Sequence, residues 1–163
     1  MRPRVRMQHC GDAGRSEPAH LSPALVMPGA GMPLGQSFVS GGCDSLVKGW
    51  RVDEGRGVWA VEQALTGHTD WVRDVAWAPN LGMPSNTIAS AGQDGRVLIW
   101  TQSQPGGPWQ PKQLADFKAT VWRVSWSVFG NVLAVSDASG AVTLWKEALD
   151  GEWSQIQRTQ DGE

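Results

Sequence analysis

Tryptophan recurs at a near-constant interval along this chain, and that interval restricts the folds open to it. Three segments close on Trp after a similar lead: Gly41-Gly42-Cys43-Asp44-Ser45-Leu46-Val47-Lys48-Gly49-Trp50, Ala91-Gly92-Gln93-Asp94-Gly95-Arg96-Val97-Leu98-Ile99-Trp100 and Ser136-Asp137-Ala138-Ser139-Gly140-Ala141-Val142-Thr143-Leu144-Trp145. The closing residues lie 50 and 45 positions apart. Trp59, Trp109 and Trp153 trail them at intervals of 50 and 44. A third series precedes two of them, with Val72-Arg73-Asp74-Val75-Ala76-Trp77 returning as Val121-Trp122-Arg123-Val124-Ser125-Trp126 after 49 residues. Three independent markers agree on one period, close to the roughly 40–45 residues of a four-stranded propeller blade.

Within one period the pattern reads as four short strands. Residues 71–78 alternate apolar and polar, as a half-buried strand does. Residues 87–91 form a second, mixed apolar run. Asp94-Gly95 is a hairpin turn, because Gly accepts positive φ without steric cost. Residues 96–101 carry Val97-Leu98-Ile99-Trp100, a continuous apolar run expected of a strand covered on both faces. Residues 109–115 form a more polar outer strand after the Pro/Gly-rich loop from Pro105 to Pro108. No segment sustains a helical period. The fold class is therefore all-β, a partial β-propeller of about two and three-quarter blades. Residues 1–37 read as an irregular leader, 38–66 as a partial blade, 67–115 as a complete blade, 116–157 as the last blade and 158–163 as a polar tail.

Composition narrows function by exclusion. A formal net charge of −2 over 163 residues gives no global reason to expect a polyanion partner. Cys10 and Cys43 are too few for a disulfide framework, so reduced thiols are the default expectation. No apolar run approaches the roughly 20 residues that span a bilayer. No apolar stretch follows Arg2, Arg4, Arg6 and Arg15, so the leader does not read as a secretory signal; a transit peptide and a non-native start to the reading frame are the two readings of it, the second preferred.

His68, Ser90 and Asp94 resemble a catalytic triad on paper. An exposed nucleophile, an oxyanion hole and a Gly-x-Ser-x-Gly elbow are what such a triad needs, and no elbow is present. In WD repeats, a His, a Ser, an Asp and a Trp at these offsets form a hydrogen-bonded network, because buried polar groups must be satisfied internally. Here these are His68, Ser90, Asp94 and Trp100. The first unit keeps Ser40, Asp44 and Trp50. The last keeps Trp145 but has Val135, Ser139 and Phe117 where Ser, Asp and His would stand, and is expected to be held by packing and to be softer. These are structural roles: no catalytic residue, cofactor or metal is assigned. His9, Cys10, His20 and Cys43 fit no zinc-ligand spacing. Pro28-Gly29-Ala30-Gly31 lacks the Gly-Lys-Ser/Thr of a phosphate loop. Trp71, Arg73, Trp122 and Arg123, near strand starts, could stack on bases. A protein-binding rim is preferred over nucleic acid, because Trp and Arg are the usual hot-spot residues.

The stretches His68 to Pro79, Ile88 to Ser90, Gln93 to Trp100, Thr143 to Glu147 and Asp150 to Trp153 resemble the Sec-thirteen family of WD-repeat proteins. The resemblance covers about residues 38–157 and is more specific than the generic repeat signature. Ser22 to Ser37 is a looser match to the long loop before the first shared strand. The resemblance implies a structural scaffold subunit, a six-bladed propeller left open on one side and completed by a blade inserted from a partner. The implied partners are the large rod-forming outer-coat subunit of vesicles leaving the endoplasmic reticulum and a nuclear-pore scaffold protein. The implied locations are the cytoplasmic side of the endoplasmic reticulum membrane, its coated vesicles and the nuclear envelope, with no insertion into the membrane. A generic WD adaptor binding peptides, such as a ubiquitin-ligase substrate receptor, is the alternative. Two departures stand out. Six blades need roughly 250 residues or more, so the chain matches only the back half, as a truncated gene product, a splice form or a partial gene copy would. Gly49 replaces the apolar residue expected before the Trp, at a cost of roughly 0.5–1 kcal/mol.

Overall fold

The apolar run Val97-Leu98-Ile99-Trp100 is the centre of the molecule. Successive side chains of a strand point to opposite faces. Val97 and Ile99 therefore enter one core, with Ala89, Ala91, Val121, Val124, Leu133 and Val135. Leu98 and Trp100 enter another, with Val39, Val47, Val72, Val75 and Ile88. The strand that carries them is covered on both sides, and burying a side chain of this size stabilises by about 1.5–3 kcal/mol.

The computed structural model describes residues 18–53 and 55–159 apart from 23–36 and 81–83, with residues 18–22 described by their backbone alone. It holds three antiparallel four-stranded sheets. The first is β1 (Pro18–Ser22), β2 (Ser37–Gly42), β3 (Leu46–Asp53) and β4 (Val58–Thr66). The second is β5 (Val72–Trp77), β6 (Asn86–Gly92), β7 (Arg96–Gln102) and β8 (Gln110–Asp116). The third is β9 (Val121–Trp126), β10 (Val132–Asp137), β11 (Val142–Glu147) and β12 (Trp153–Thr159). Each sheet is a meander in which sequence neighbours pair. The first strands β1, β5 and β9 lie against one another from sheet to sheet, the arrangement of propeller blades.

The first sheet contains a strand that the sequence count leaves out. Residues 1–37 read as an irregular leader, yet Pro18–Ser22 pairs with β2, Leu21 opposite Ser40 and Ser22 opposite Val39. The unit expected to have three strands thus has four. A five-residue run that opens on Pro gives too weak an alternation to be read as a strand, and the register shift between Pro18 and His20 blurs it further. At the other end β12 continues to Thr159, two residues past the expected limit of the last blade.

The hairpin between the second and third strands of each blade is the same turn three times. Ser45, Gly95 and Gly140 hold φ of 63°, 75° and 80°. The turn is closed by amide-to-carbonyl bonds Ser45 to Gly42, Gly95 to Gly92 and Gly140 to Asp137. The Asp of each unit fixes it, with Asp44 accepting from the Leu46 amide, Asp94 from Arg96 and Asp137 from Ser139. In the last blade this Asp stands two places earlier than Ser139, the residue aligned with Asp44 and Asp94.

Register explains how β5 uses two faces. A bulge between Val72 and Asp74 puts Val72 and Val75 on the same side, against the first blade, although their spacing is odd. Ala76 packs on the opposite core, against the third blade.

The trailing tryptophans close the far end of each blade. Trp109 meets Trp77 edge-on with centroids 5.9 Å apart, and Trp153 meets Trp126 likewise at 5.8 Å. In the first blade Trp59 meets Phe38 at 4.7 Å. This is why the second tryptophan series keeps the period of the first.

Candidate functional site

The polar network of the second blade is assembled from two strands, a loop and a turn. His68 stands in the loop before β5, Ser90 on β6 and Trp100 on β7, with Asp94 in the turn between the last two. His68 Nδ1 lies 3.1 and 3.0 Å from the two carboxylate oxygens of Asp94, and its Nε2 lies 2.8 Å from Ser90 Oγ. Trp100 Nε1 donates to the same Ser90 oxygen at 2.8 Å. A carboxylate accepts and an indole N–H only donates, so the roles are determined. Nδ1–H donates to Asp94, Ser90 accepts from Trp100, and the Ser90 hydroxyl donates to Nε2. Asp94 also accepts from the Thr69 and Arg96 amides, at 3.0 and 3.1 Å.

Burial holds the His68 pKa below its ordinary value of 6.5, against the upward pull of Asp94. The imidazole is neutral at pH 7, as the tautomer requires. Ser90 is 0% exposed and its hydroxyl is committed on both sides. In this geometry the hydroxyl faces the indole and the imidazole rather than an open cleft.

The first blade brings together part of this set. Trp50 Nε1 donates to Ser40 Oγ at 2.9 Å. Asp44 serves its own turn and pairs with Lys48 rather than joining the Trp–Ser bond. The third blade departs from the expectation of packing alone. Trp145 Nε1 donates to Thr143 Oγ1 at 2.9 Å, and Thr143 bonds onward to the Val135 carbonyl at 3.4 Å. The hydroxyl has moved across the ladder: Ser90 stands opposite Leu98 in the second blade, and Val135 opposite Thr143 in the third. Packing contributes as well, since Phe117 meets Trp145 edge-on at 6.0 Å.

Trp71, Arg73 and Trp122 form one cluster at the boundary of the second and third blades. The Arg73 guanidinium lies 4.9 Å from the ring centroids of both Trp71 and Trp122. It also donates to the Gln93 side chain. The indoles remain 36% and 46% exposed. Arg123 follows Trp122 on β9, paired in register with Ser136.

Sequence reading passed over Asp74. It is buried, accepts from its neighbour Val75 at 3.0 Å and from the Val124 amide of the next blade at 3.1 Å. Trp126 Nε1 donates back across the same seam to the Ala76 carbonyl at 3.0 Å. An Asp on the same alternation as the apolar Val72 and Ala76 was the available signal, because a buried carboxylate needs donors.

Among the described residues no three His, Cys, Asp or Glu side chains are grouped to hold a metal. Of the zinc candidates weighed from sequence, His9 and Cys10 lie outside the described residues and His20 falls in β1. Cys43 is disulfide-bonded, where a reduced thiol was expected. Pro28 to Gly31 also lies outside the described residues. No helix among them is long and apolar enough to cross a membrane.

Four-stranded meanders packed face to face, with a His–Ser–Asp–Trp network inside a blade, define a WD-repeat protein. Residues 59–101 match the family model described as WD domain, G-beta repeat. The chain is 56% identical over 133 residues to "Protein transport protein SEC13 homolog B" of Arabidopsis thaliana, covering 82% of this chain and 44% of that protein. It is 51% identical over 147 residues to "Protein SEC13 homolog" of Rattus norvegicus (85% and 45%) and 50% identical over 151 residues to the Homo sapiens homologue (87% and 46%). The chain fits the SEC13 family of WD-repeat proteins. It spans less than half the length of the curated relatives it matches.

Proposed function

We propose that this chain is a structural scaffold subunit of protein transport, a propeller segment whose open blade face receives β-structure from a partner. One observation carries the reading. In the second blade, the face made by Ala89, Ala91, Val97 and Ile99 is fully covered by the third blade. In the third blade the corresponding face presents Ala134, Val142 and Leu144, paired across the sheet as Ala134 with Leu144 and Ser136 with Val142. Nothing among the described residues packs on it, and Val142 is 41% exposed. A sheet face of that chemistry fits another sheet, and strand addition supplies the backbone hydrogen bonds that give affinity.

The names of the similar proteins, which speak of protein transport, favour a coat or scaffold over an enzyme. We assign the partners to the rod-forming outer-coat subunit of vesicles leaving the endoplasmic reticulum and to a scaffold protein of the nuclear pore. The chain would then work at the cytoplasmic side of the endoplasmic reticulum and at the nuclear envelope, peripheral to the membrane. The half-exposed indoles of Trp71 and Trp122 support a second protein contact at the rim.

A photo-crosslinking residue placed at Val142 tests the reading in cells. Crosslinks to a large partner through a β-rich segment are expected. Crosslinks to a partner only from Trp71 or Trp122, with none from Val142, would indicate a peptide adaptor instead.

A further inference from the structure

We propose that the Trp71, Arg73 and Trp122 cluster is a receptor for one carboxylate, an Asp or Glu side chain on an extended segment of a partner protein; the proposal rests on the rim contact named above and gives it a chemistry. The cluster sits at the seam between the second and third blades. Arg73 is on β5, Trp71 just before it and Trp122 on β9. Both of these blades have all four strands, so the site is built without either outer face of the array. Its platform is rigid. The Gln93 amide donates to the Trp71 carbonyl at 2.8 Å, and the Trp71 amide donates to Asp70 Oδ1 at 2.7 Å. The Arg73 guanidinium is then held by the two indoles, each centroid 4.9 Å away, and by the Gln93 side-chain oxygen, which accepts from Nη2. A cation immobilised in this way loses little rotamer freedom when a ligand arrives, so more of the contact energy appears as affinity.

What the cluster lacks is an anion. Among the described residues no ion pair includes Arg73. The carboxylate of Asp70 serves the Trp71 amide, and that of Asp74 serves the Val75 and Val124 amides. Of the guanidinium nitrogens, Nε is buried without an acceptor, and Nη1 has no hydrogen-bond partner among the described residues. Nη1 and the remaining proton of Nη2 form a parallel pair of donors, the fork that a carboxylate accepts through both oxygens. The fork lies beside indoles that are 36% and 46% exposed. Their rings would shield the ion pair from water and cover the methylene groups that carry the acid, the combination that makes Trp and Arg dominant in protein contacts.

Nucleic acid fits the cluster less well. A base stacks on an open aromatic face, and here Arg73 already occupies one face of each indole. The net charge of −2 supplies no field to gather a polyanion. One fixed fork between two apolar rings matches one acid flanked by apolar side chains.

Two short peptides with blocked termini test this, Leu-Glu-Leu-Glu-Leu and the same sequence with Gln in place of Glu. Each is titrated into the isotope-labelled 163-residue chain, and the indole N–H signals of Trp71 and Trp122 are followed by NMR. The Glu peptide should shift both signals and bind about 10-fold more tightly than the Gln peptide, because hydrogen bonds to a charged group are stronger than neutral ones. Arg73→Lys keeps the charge but loses the fork, and should weaken the Glu peptide by about 10-fold while leaving the Gln peptide unchanged. Val128→Ser, at the exposed far end of β9, should alter neither. If Arg73→Lys fails to fold, the comparison of the two peptides on the unaltered chain decides alone. Equal affinity for the two peptides, with both indoles shifted, would overturn the carboxylate receptor and leave the rim contact standing. Indoles silent to both peptides would also overturn it; the rim contact itself falls only if a photo-crosslinking residue at Trp122 captures no protein in cells. Tighter binding of a short oligothymidylate than of the Glu peptide would overturn the proposal in favour of nucleic acid.

Discussion

Thr143 lies two residues before Trp145 on the same strand, and its hydroxyl accepts the indole proton that Ser90 accepts from Trp100 one blade earlier. The two blades solve one burial problem with mirrored pairs, Ser90 opposite Leu98 and Thr143 opposite Val135. Thr143→Leu should therefore strand the indole N–H and cost about 1–3 kcal/mol. Adding Val135→Ser should recover most of that loss by moving the hydroxyl back to the neighbouring strand. Urea unfolding of both variants checks this; a double variant no more stable than the single one would show that Thr143 acts through packing alone.

Much of the fold was legible because its chemistry repeats. The period of Trp50, Trp100 and Trp145 located the blades, and the Asp94-Gly95 dipeptide located the hairpin. What escaped was non-periodic. Pro18–Ser22 opens on Pro and is too short for its alternation to announce a strand, and it pairs along the edge of β2. Thr143 was passed over because the indole acceptor was sought at the offset of Ser90, whereas a side chain two residues away on the same face reaches equally well. Asp74 takes a donor from a strand 50 residues on, a relation that no local spacing announces.

Stability should depend on pH through His68. Burial lowers its folded pKa beneath the ordinary 6.5, so the unfolded chain takes up a proton at a pH where the native chain does not. By linkage, this contribution is fully present above about pH 6.5 and is lost as pH falls from there toward the folded value. A denaturation midpoint that declines between pH 7.5 and 5.5, and a flatter profile in His68→Gln, are the expected results. A profile unchanged by His68→Gln would assign the decline to other groups.

The stacked Arg73 should resist replacement even by Lys. The planar guanidinium lies between two rings and bonds Gln93, a geometry that a tetrahedral ammonium cannot reproduce. Arg73→Lys should cost about 0.5–2 kcal/mol and loosen the seam between the second and third blades. Tryptophan fluorescence provides the readout, since Trp71 and Trp122 flank the cation. A larger change in emission than in Arg96→Lys, which touches neither ring, is expected.

Gly92 is a position where one methyl group should break the polar network. A Cβ there would overlap the Asp94 carboxylate and sit 2.5 Å from His68 Nδ1, so it occupies the space of the hydrogen bond that joins them. Neither group can retreat freely. His68 is held from its other nitrogen by Ser90, and Asp94 by the amides of Thr69 and Arg96. Gly92→Ala therefore breaks the network at its centre and leaves a buried imidazole without an acceptor, at a cost of about 2–4 kcal/mol. Gly57→Ala is the comparison: its Cβ would meet nothing within 4 Å, and the only penalty is the backbone strain of φ +66°, about 1–2 kcal/mol. Thermal unfolding of the pair should show the Gly92 variant as the less stable. The Gly92 variant should also lose stability more steeply as pH falls below about 6.5, because a buried imidazole parted from the Asp94 carboxylate accepts a proton less readily still.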